Sequence, residues 1–322
     1  MEITITGANA LTTPSLHVWD WRVSLYLFLG GLSAGLAVMS AILHLRKGGA
    51  LAEGEPVSYR APLWVPCILA VGMIFIFWDL ERKLNVFWLY LTVQPLSPMS
   101  WGSWGLLAFF PLSAGYALAA LPPDKYGILR LEFLKTLASR LQPYLKQIAV
   151  ANFAMGIFIG IYTGVLLSSF VARPLWNSAI LPVLFLASAL SAGAAFIIII
   201  AERKAVKLFF TKLDIIIIVA EMIILPLLFY GQYTSSGAHR ASIMPFFTFS
   251  HEYLWYAASI VLIGVVFPLA LVLKMLEVNE VHGDELTVAA IRKMNLSAGL
   301  VLLGGLVIRM TFVYAGQLSK LS

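Results

Sequence analysis

The chain is 322 residues long, with 60% hydrophobic and 12% charged residues. Soluble domains average about 45–50% apolar and about 25% charged residues, so this composition excludes a soluble enzyme, a disordered chain and a nucleic-acid-binding domain. The formal net charge of +6 is therefore interpreted as loop charge on a membrane protein. The single cysteine, Cys67, excludes an internal disulfide, a four-thiolate zinc site and an iron–sulfur cluster within this chain.

Eight apolar segments are long enough to cross a bilayer as helices, since about 30 Å of hydrocarbon requires about 20 residues. In chain order they are Val23–His44, Leu63–Leu80, Trp101–Leu121, Ile148–Phe170, Ile180–Ala201, Leu213–Gln232, Tyr253–Lys274 and Met294–Gly316. The alternating pattern of a membrane β-barrel is absent from the sequence. The predicted fold class is all-α integral membrane, with eight transmembrane helices.

Lys and Arg predict the orientation of these helices. One alternate set of loops carries 15 of the 22 basic residues, the other carries six, and Arg309 lies within the last span. Cytoplasmic loops are enriched in Lys and Arg. Both termini are therefore expected on the outer (periplasmic) side of a bacterial or archaeal inner membrane. No signal-peptide pattern precedes the first helix, which is expected to serve as its own insertion signal.

Tryptophan is distributed unevenly between the two predicted boundaries. Eight of the nine tryptophans fall at the outer boundary: Trp19, Trp21, Trp78, Trp88, Trp101, Trp104, Trp176 and Trp255. An interfacial aromatic belt accounts for most of them, but belts form at both boundaries. The one-sided distribution favours a docking surface or a lined cavity on the outer face.

Two similar segments indicate an internal repeat. The segment Leu27–Gly35 in the first span matches Leu184–Gly193 in the fifth apart from one inserted residue, and an Arg-Lys pair follows each. Tyr162–Leu166 in the fourth span resembles Tyr314–Leu318 in the eighth. Equivalent spans run in the same direction, which predicts a parallel repeat of two four-helix bundles. The expected divisions are an outer N-terminal segment (1–22), a first bundle (23–170) and a second bundle (171–322).

The positions of histidine limit the redox chemistry of this chain. All five histidines lie at helix ends or in loops: His17, His44, His239, His251 and His282. A membrane-embedded haem needs axial ligands within the helices, so a haem pair inside the bundle is not expected. No metal site is expected either. Electron transfer would then use a diffusible membrane carrier, with the redox centres in a partner chain.

Ionisable residues inside membrane spans are costly and mark candidate functional sites. Asp79, at the outer end of the second span, is either an interfacial residue or local ion-pair partner of Arg82 or Lys83, or a proton acceptor beside a quinone ring. Glu221 lies mid-span with Asp214 about two turns below it. Either these two form a proton path with the preceding loop residue Glu202, or Glu221 simply hydrogen-bonds a neighbouring helix.

Arg309, in the outer part of the eighth span, is expected to pair with a buried carboxylate. Asp79 and Glu252 are nearer to it in depth than Glu221, given the rise of about 1.5 Å per residue. Arg309 is also a candidate for the proton path.

Tyr162 lies in the outer half of the fourth span, two residues before Gly164. Its hydroxyl is either an interfacial anchor or a hydrogen-bond donor to a quinone carbonyl, with Gly164 permitting close approach of the ring. His17 and Asp20 precede the first span on the same side, next to Trp21. Either can hold the opposite carbonyl.

Five segments together resemble the NrfD/PsrC-type membrane subunits, as in polysulfide reductase. They are Trp19–Gly31 (WDWRVSLYLFLGG), Asp79–Arg82 (DLER), Ser100–Gly105 (SWGSWG), Tyr162–Leu167 (YTGVLL) and Leu181–Leu186 (LPVLFL). Their order and spacing match across about residues 19–195. The family commonly has Pro after the Arg of the second motif, where this chain has Lys83.

The resemblance implies a haem-free quinone-interacting subunit of a multi-subunit oxidoreductase, inactive alone. It would exchange electrons between menaquinone or ubiquinone and a ferredoxin-like, four-cluster iron–sulfur subunit docked on the outer face. That subunit would serve a molybdopterin or other catalytic subunit. The implied quinone-site residues are Tyr162, His17 or Asp20, Trp21, Trp104 and Gly164, and the implied proton-transfer residues are Asp79 and Arg82.

Two other functions remain open. A secondary transporter would suit the repeat, Glu221 and Arg309, but its substrate groups should lie near the midplane. An inert membrane anchor for a peripheral oxidoreductase would not require Tyr162 or Asp79. Most candidate groups lie at the outer face, which favours the redox function.

Overall fold

The computed structural model describes residues 19–49, 51–247 and 288–319. Regular structure in these ranges is entirely helical, without strands. Seven helical segments in them are long and apolar enough to cross a membrane. They correspond to seven of the eight predicted spans, and the remaining prediction, Tyr253–Lys274, lies outside the described residues.

Ten α-helices are numbered here in chain order through the described ranges. They are α1 (Trp21–Leu45), α2 (Val57–Asp79), α3 (Val86–Leu91), α4 (Pro98–Ala120), α5 (Glu132–Leu141), α6 (Leu145–Ser168), α7 (Leu181–Ile200), α8 (Lys204–Thr234), α9 (Gly237–Phe247) and α10 (Val288–Leu318). The spanning segments are α1, α2, α4, α5 continued into α6, α7, α8 and α10.

Three spanning helices begin well before the predicted apolar segments. α2 begins at Val57 instead of Leu63, α8 at Lys204 instead of Leu213, and α10 at Val288 instead of Met294. A span predicted from hydropathy stops where charged residues begin. The helix itself continues, because its backbone hydrogen bonds do not depend on apolar side chains. Long Lys and Arg side chains can extend from such helix ends toward water.

The helices run up and down, so the structure has two distinct ends. At one, here called the tryptophan end, α1 begins, α2 ends and Trp19 stacks on Trp176 with ring centroids 5.2 Å apart. At the other, here called the basic end, α1 ends and α8 begins, and Arg60 bonds Glu202 at 2.6 Å. Seven of the eight described tryptophans group at the tryptophan end, as the predicted spans imply, and Trp64 lies in the first half of α2.

α1 and α7 cross at the centre of the molecule through two glycines. A Cβ added at Gly35 would overlap the carbonyl of Ala189, and one added at Gly193 would overlap the backbone of Gly35. Small residues allow membrane helices to approach this closely. The other spans pack around this crossing: α2, α6 and α10 lie against α1, and α6, α8 and α10 lie against α7.

A serine hydroxyl on each of the two central helices, α1 and α7, hydrogen-bonds the next spanning helix in the chain. Ser33 of α1 donates to the carbonyl of Val65 on α2 at 3.0 Å. Ser191 of α7 donates to Oδ1 of Asp214 on α8 at 2.6 Å. Ser33 and Ser191 occupy matching places in the two similar sequence segments, so the same position supplies a helix–helix hydrogen bond twice.

Candidate functional site

Tyr162 is buried in α6, near the tryptophan end. Its ring lies directly on the backbone of α4, because a Cβ added at Gly102 would overlap both the ring and the hydroxyl oxygen. Phe158, one turn earlier, stacks on it with ring centroids 6.5 Å apart. Within the described part of the chain the Tyr162 hydroxyl makes no hydrogen bond, so it is available to an incoming acceptor.

Two further tyrosines accompany Tyr162, and sequence reasoning missed both. Tyr26 of α1 is buried and lies within electrostatic range of Tyr162 and of Tyr90 on α3. The three are here called the tyrosine cluster. Tyr26 could have been found from its spacing, because it lies one helical turn after Arg22 inside the first recognised motif. Tyr90 carried no such signal, since α3 was expected to be loop.

An ion network joins the start of α1 to the end of α2. Asp20 accepts hydrogen bonds from the backbone N–H of Arg22 at 2.8 Å, which caps α1, and from its Nε at 2.7 Å. Nη2 of Arg22 lies 3.2 Å from Oδ1 of Asp79, whose side chain is 16% exposed. Asp79 is therefore paired with Arg22, so the alternative of a local ion pair with Arg82 or Lys83 is wrong, and the proton-acceptor alternative stays a prediction.

The other predicted site residues lie in different surroundings. Arg82 is exposed in the loop after α2 and forms no ion pair within the described residues. Trp21 and Trp104 are each about half exposed, and Trp21 packs edge-on against Phe75. A Cβ added at Gly164 would overlap the backbone of Pro182, so the close approach that this glycine permits is made by α7. His17 lies outside the described residues.

At the tryptophan end, hydrogen bonds join the last helix, α10, to Trp19 before α1 and to Trp176 before α7. Gln317 of α10 accepts a hydrogen bond from the backbone N–H of Trp19 at 2.9 Å and donates to its carbonyl at 2.8 Å. Trp176 donates from its indole nitrogen to the carbonyl of Phe312 at 2.6 Å. The bonds of Gln317 hold Trp19 against α10. Because Trp19 is adjacent to Asp20, they also position the ion network at the tryptophan end.

Arg309 is fully buried beside the crossing of α1 and α7. Its Nη1 donates to the hydroxyl of Ser188 at 2.9 Å and to the carbonyl of Gly305 at 3.1 Å. The guanidinium carbon lies 5.3 Å from the ring centre of Phe185 and 5.9 Å from that of Phe28. Neutral oxygens and two aromatic rings stabilise this charge in place of water.

The expected ion pair between Arg309 and a nearby carboxylate is not formed in the described residues. Asp79 pairs with Arg22 instead, and Glu252 lies outside the described residues. The carboxylate that acts on Arg309 electrostatically is Glu221, the one judged more distant in depth. The prediction compared depths along the membrane normal only. The distance between Arg309 and Glu221 also depends on how α8 and α10 are placed around α7.

A row of ionisable side chains follows α8 in steps of seven residues, about two helical turns each. Nζ of Lys207 donates to the carbonyl of Ile198 and to Oδ1 of Asn295. Asp214 is buried and bonded to Ser191. Oε1 of Glu221 is buried and has no hydrogen-bond partner among the described residues.

A further buried carboxylate near Lys207 is Glu55, in the connection before α2, which was not predicted as a site residue. Glu55 is 2% exposed and accepts hydrogen bonds from the backbone N–H groups of Glu202 and Arg203 at 2.8 and 3.0 Å. It also lies within electrostatic range of Lys207. Glu202, the loop residue predicted for a proton path, is instead an exposed partner of Arg60.

Comparison with known proteins accounts for almost the whole chain. The family model described as polysulphide reductase, NrfD, matches residues 9–319. A polysulfide reductase component from Wolinella succinogenes is 29% identical over 312 residues, covering 93% of this chain and 94% of the relative. Protein NrfD of Escherichia coli K12 is 26% identical over 331 residues, covering 98% and 99%.

A shorter match extends the same pattern. A tetrathionate reductase component from Salmonella typhimurium is 31% identical over 205 residues, covering 62% of this chain and 54% of the relative. Two of these three relatives are named as parts of reductases, which supports a redox role. With seven candidate spans in the described residues, the chain is a multi-pass integral membrane protein, and it belongs to the NrfD polysulphide reductase family.

Proposed function

We propose that this chain is the haem-free, quinone-reactive membrane subunit of a respiratory oxidoreductase. It exchanges electrons between menaquinone or ubiquinone and an iron–sulfur partner subunit with four clusters, which serves a molybdopterin or other catalytic subunit. The observation that carries this proposal is the Tyr162 hydroxyl, which has no hydrogen-bond partner in the described residues and lies on the bare backbone at Gly102. Relatives named as parts of polysulfide and tetrathionate reductases support it.

The residues at the tryptophan end fit a quinone in chemical terms. A quinone needs a hydrogen-bond donor or proton-exchanging group at each carbonyl and an apolar surface for its tail. Tyr162 donates to one carbonyl, and Asp20 or His17 serves the other. Bound there, quinone supplies two-electron chemistry coupled to two protons. Asp79 holds or releases protons at its Oδ1 atom, beside Arg22, and the half-exposed rings of Trp21 and Trp104 supply apolar surface.

Electron transfer to a partner requires that this site lie near the docked iron–sulfur subunit. The half-exposed indole rings of Trp21 and Trp104 make the tryptophan end, apart from residues 84–96, the proposed docking face. We place it on the outer side of the membrane, because the basic loops at the opposite end are typical of the cytoplasmic side.

The full architecture proposed is eight spans in two four-helix bundles related by a parallel repeat, with both termini outside. The crossing at Gly35 and Gly193 supports the repeat, since these two residues are equivalent in the similar segments and contact each other. The matching bonds of Ser33 and Ser191 support it as well. A single cysteine at either terminus, in a Cys67→Ser background, should react with an impermeant maleimide from outside. Reaction from opposite sides would contradict an even number of spans.

Proton translocation is proposed through the second bundle. Asp214, Glu221 and Arg309 supply ionisable groups between the basic end and the tyrosine cluster, and the unpartnered Glu221 Oε1 is positioned for exchange. In proteoliposomes of the whole complex, Asp214→Asn should abolish proton movement while quinone turnover continues. Unchanged proton movement would exclude Asp214 from the path.

Photoaffinity labelling tests the quinone site directly. The purified complex is illuminated with an azido-quinone, and the labelled peptides are identified by mass spectrometry with and without excess quinone. Labelling is expected on α4 and α6 around Gly102 and Tyr162. Label confined to the partner subunit would favour an inert anchor. Failure of any reductase partner to co-purify under gentle detergent would favour a transporter, for which flux in proteoliposomes is the test.

A further inference from the structure

The connection between α2 and α4, residues 80–97, exposes an unusually apolar surface. It contains α3 (Val86–Leu91), and several of its large side chains are mostly exposed, including Leu84 at 88%, Leu91 at 67% and Leu96 at 97%. Acidic and basic residues are absent from Leu84 through Pro123, a stretch that includes all of α3 and α4. A connection of this composition is unsuited to water.

Three hydrogen bonds that involve side chains join this connection to the beginning of α4. The Ser103 hydroxyl donates to the carbonyl of Leu89 at 3.4 Å, and the backbone N–H of Gln94 donates to the Ser100 hydroxyl at 3.2 Å. The Trp101 indole donates to the carbonyl of Pro95 at 2.6 Å. α4 is the one spanning helix in the described residues on which α3 packs appreciably.

Charge changes sharply at the start of the connection. Glu81, Arg82 and Lys83 are exposed and charged, and the apolar residues follow at once. Such a step from charge to tryptophan and leucine is typical of a chain that enters the boundary between headgroups and acyl chains. Trp88 is 58% exposed and Trp101 is 53% exposed, at the level where α2 ends and α4 begins.

A protein partner fits this surface less well than lipid does. Protein interfaces that form between separately folded subunits have a polar rim around an apolar centre. Residues 84–96 offer Asn85, Thr92 and Gln94 as their hydrogen-bonding side chains apart from Tyr90 and the Trp88 indole, and no charge. The surface is instead similar to the exposed apolar face of the neighbouring span, on which Ile74 is 60% exposed.

We infer that residues 84–96 form an interfacial membrane segment, with the side chains of Phe87, Trp88 and Leu91 inserted into the leaflet at the tryptophan end. The ligand is the lipid surface itself. The opposite side of α3 carries Tyr90, which is half-buried and within electrostatic range of Tyr26. α3 therefore contributes Tyr90 to the tyrosine cluster and its exposed side chains to the lipid-facing surface.

Spin-label accessibility tests the insertion without reference to quinone chemistry. In a Cys67→Ser background, nitroxides are placed at position 91, at lipid-facing position 74 of α2 and at position 132 of α5, where the Glu132 side chain is 83% exposed. Collision rates with oxygen and with a neutral nickel chelate are measured for the full chain in nanodiscs. The label at position 91 should favour oxygen, as position 74 does.

Two results would overturn the inference. A strong response to the nickel chelate, as at position 132, would place the segment in water. Protection from both reagents would mean that protein covers it. Where the Leu91 variant fails to fold, the brominated-lipid quenching of wild type is compared with that of Trp88→Phe. Loss of a quenched component in Trp88→Phe is expected, and identical quenching would contradict insertion.

Discussion

The substitution Gly102→Ala tests the packing of Tyr162 on α4. A Cβ at this position would overlap the Tyr162 ring, so the ring or the helix must move. Overpacking costs about 1–3 kcal/mol. Replacing a helical glycine by alanine gains about 1 kcal/mol where there is space. The expected net loss in the free energy of unfolding is therefore about 0–2 kcal/mol.

Gly115→Ala, on the same helix, is the matched control. The atom nearest to an added Cβ there is Cδ1 of Leu141 at 3.8 Å, an ordinary contact. This variant should gain up to about 1 kcal/mol, so the two substitutions should differ by about 1–3 kcal/mol. Unfolding by sodium dodecyl sulfate titration in mixed micelles measures that difference.

Tyr162→Leu completes a double-mutant cycle with Gly102→Ala. Leucine lacks the ring atoms that an alanine at position 102 would meet, so in this background Gly102→Ala and Gly115→Ala should have the same effect. If the two alanine variants differ by less than about 0.5 kcal/mol with Tyr162 present, the contact is not as described, because that is the usual error of additivity. A difference that persists with leucine would place its cause elsewhere.

The remaining predictions concern three polar contacts and use the same titration. Ser191→Ala removes the donor to Asp214 at 2.6 Å and should cost about 0.6–1.7 kcal/mol, from the average to the largest value found for hydrogen bonds between membrane helices. Gln317→Leu removes both bonds to the Trp19 backbone, so it should cost about 1–3 kcal/mol and speed hydrogen exchange at Trp19. Arg309→Lys keeps the charge but cannot reproduce the planar fork, and should cost about 1.5–3 kcal/mol.

Each of these predictions has a result that would contradict it. The hydroxyl of Ser113 bonds within its own helix to Phe110, so Ser113→Ala should cost less than Ser191→Ala; equal costs would remove the case for a bond between helices. Unchanged exchange in Gln317→Leu would mean that Trp19 is held by its ring contacts alone. Full stability of Arg309→Lys would show that a simple positive charge suffices at that position.

The membrane architecture was predictable because hydropathy reports the surroundings of a spanning helix directly. Seven predicted spans have counterparts in the described residues, and their ends moved outward where charged residues continue a helix, as at Lys204. The place of Tyr162 near the tryptophan end was also predictable from its depth in the fourth span. Direct contact with Gly102 was not, because it depends on the rotation of α4 against α6.

Partners across the bundle could not be read from the sequence. Asp79 bonds Arg22, which is distant in sequence, in preference to the adjacent Arg82. Arg309 is held by neutral oxygens and rings, an arrangement that the sequence alone does not distinguish from an ion pair. Glu55 was overlooked because a loop carboxylate ordinarily faces water, whereas here it binds backbone N–H groups before α8.

The most direct test of the account is quinone-linked turnover by the purified complex carrying Tyr162→Phe. Tyr230→Phe is the control, since Tyr230 is 67% exposed on α8. Loss of one hydrogen bond to a reacting carbonyl should lower quinone turnover about tenfold in Tyr162→Phe. The dye-linked activity of the partner enzyme should stay unchanged in both variants. Normal quinone turnover in Tyr162→Phe, with the control also normal, would contradict the assignment of the quinone site.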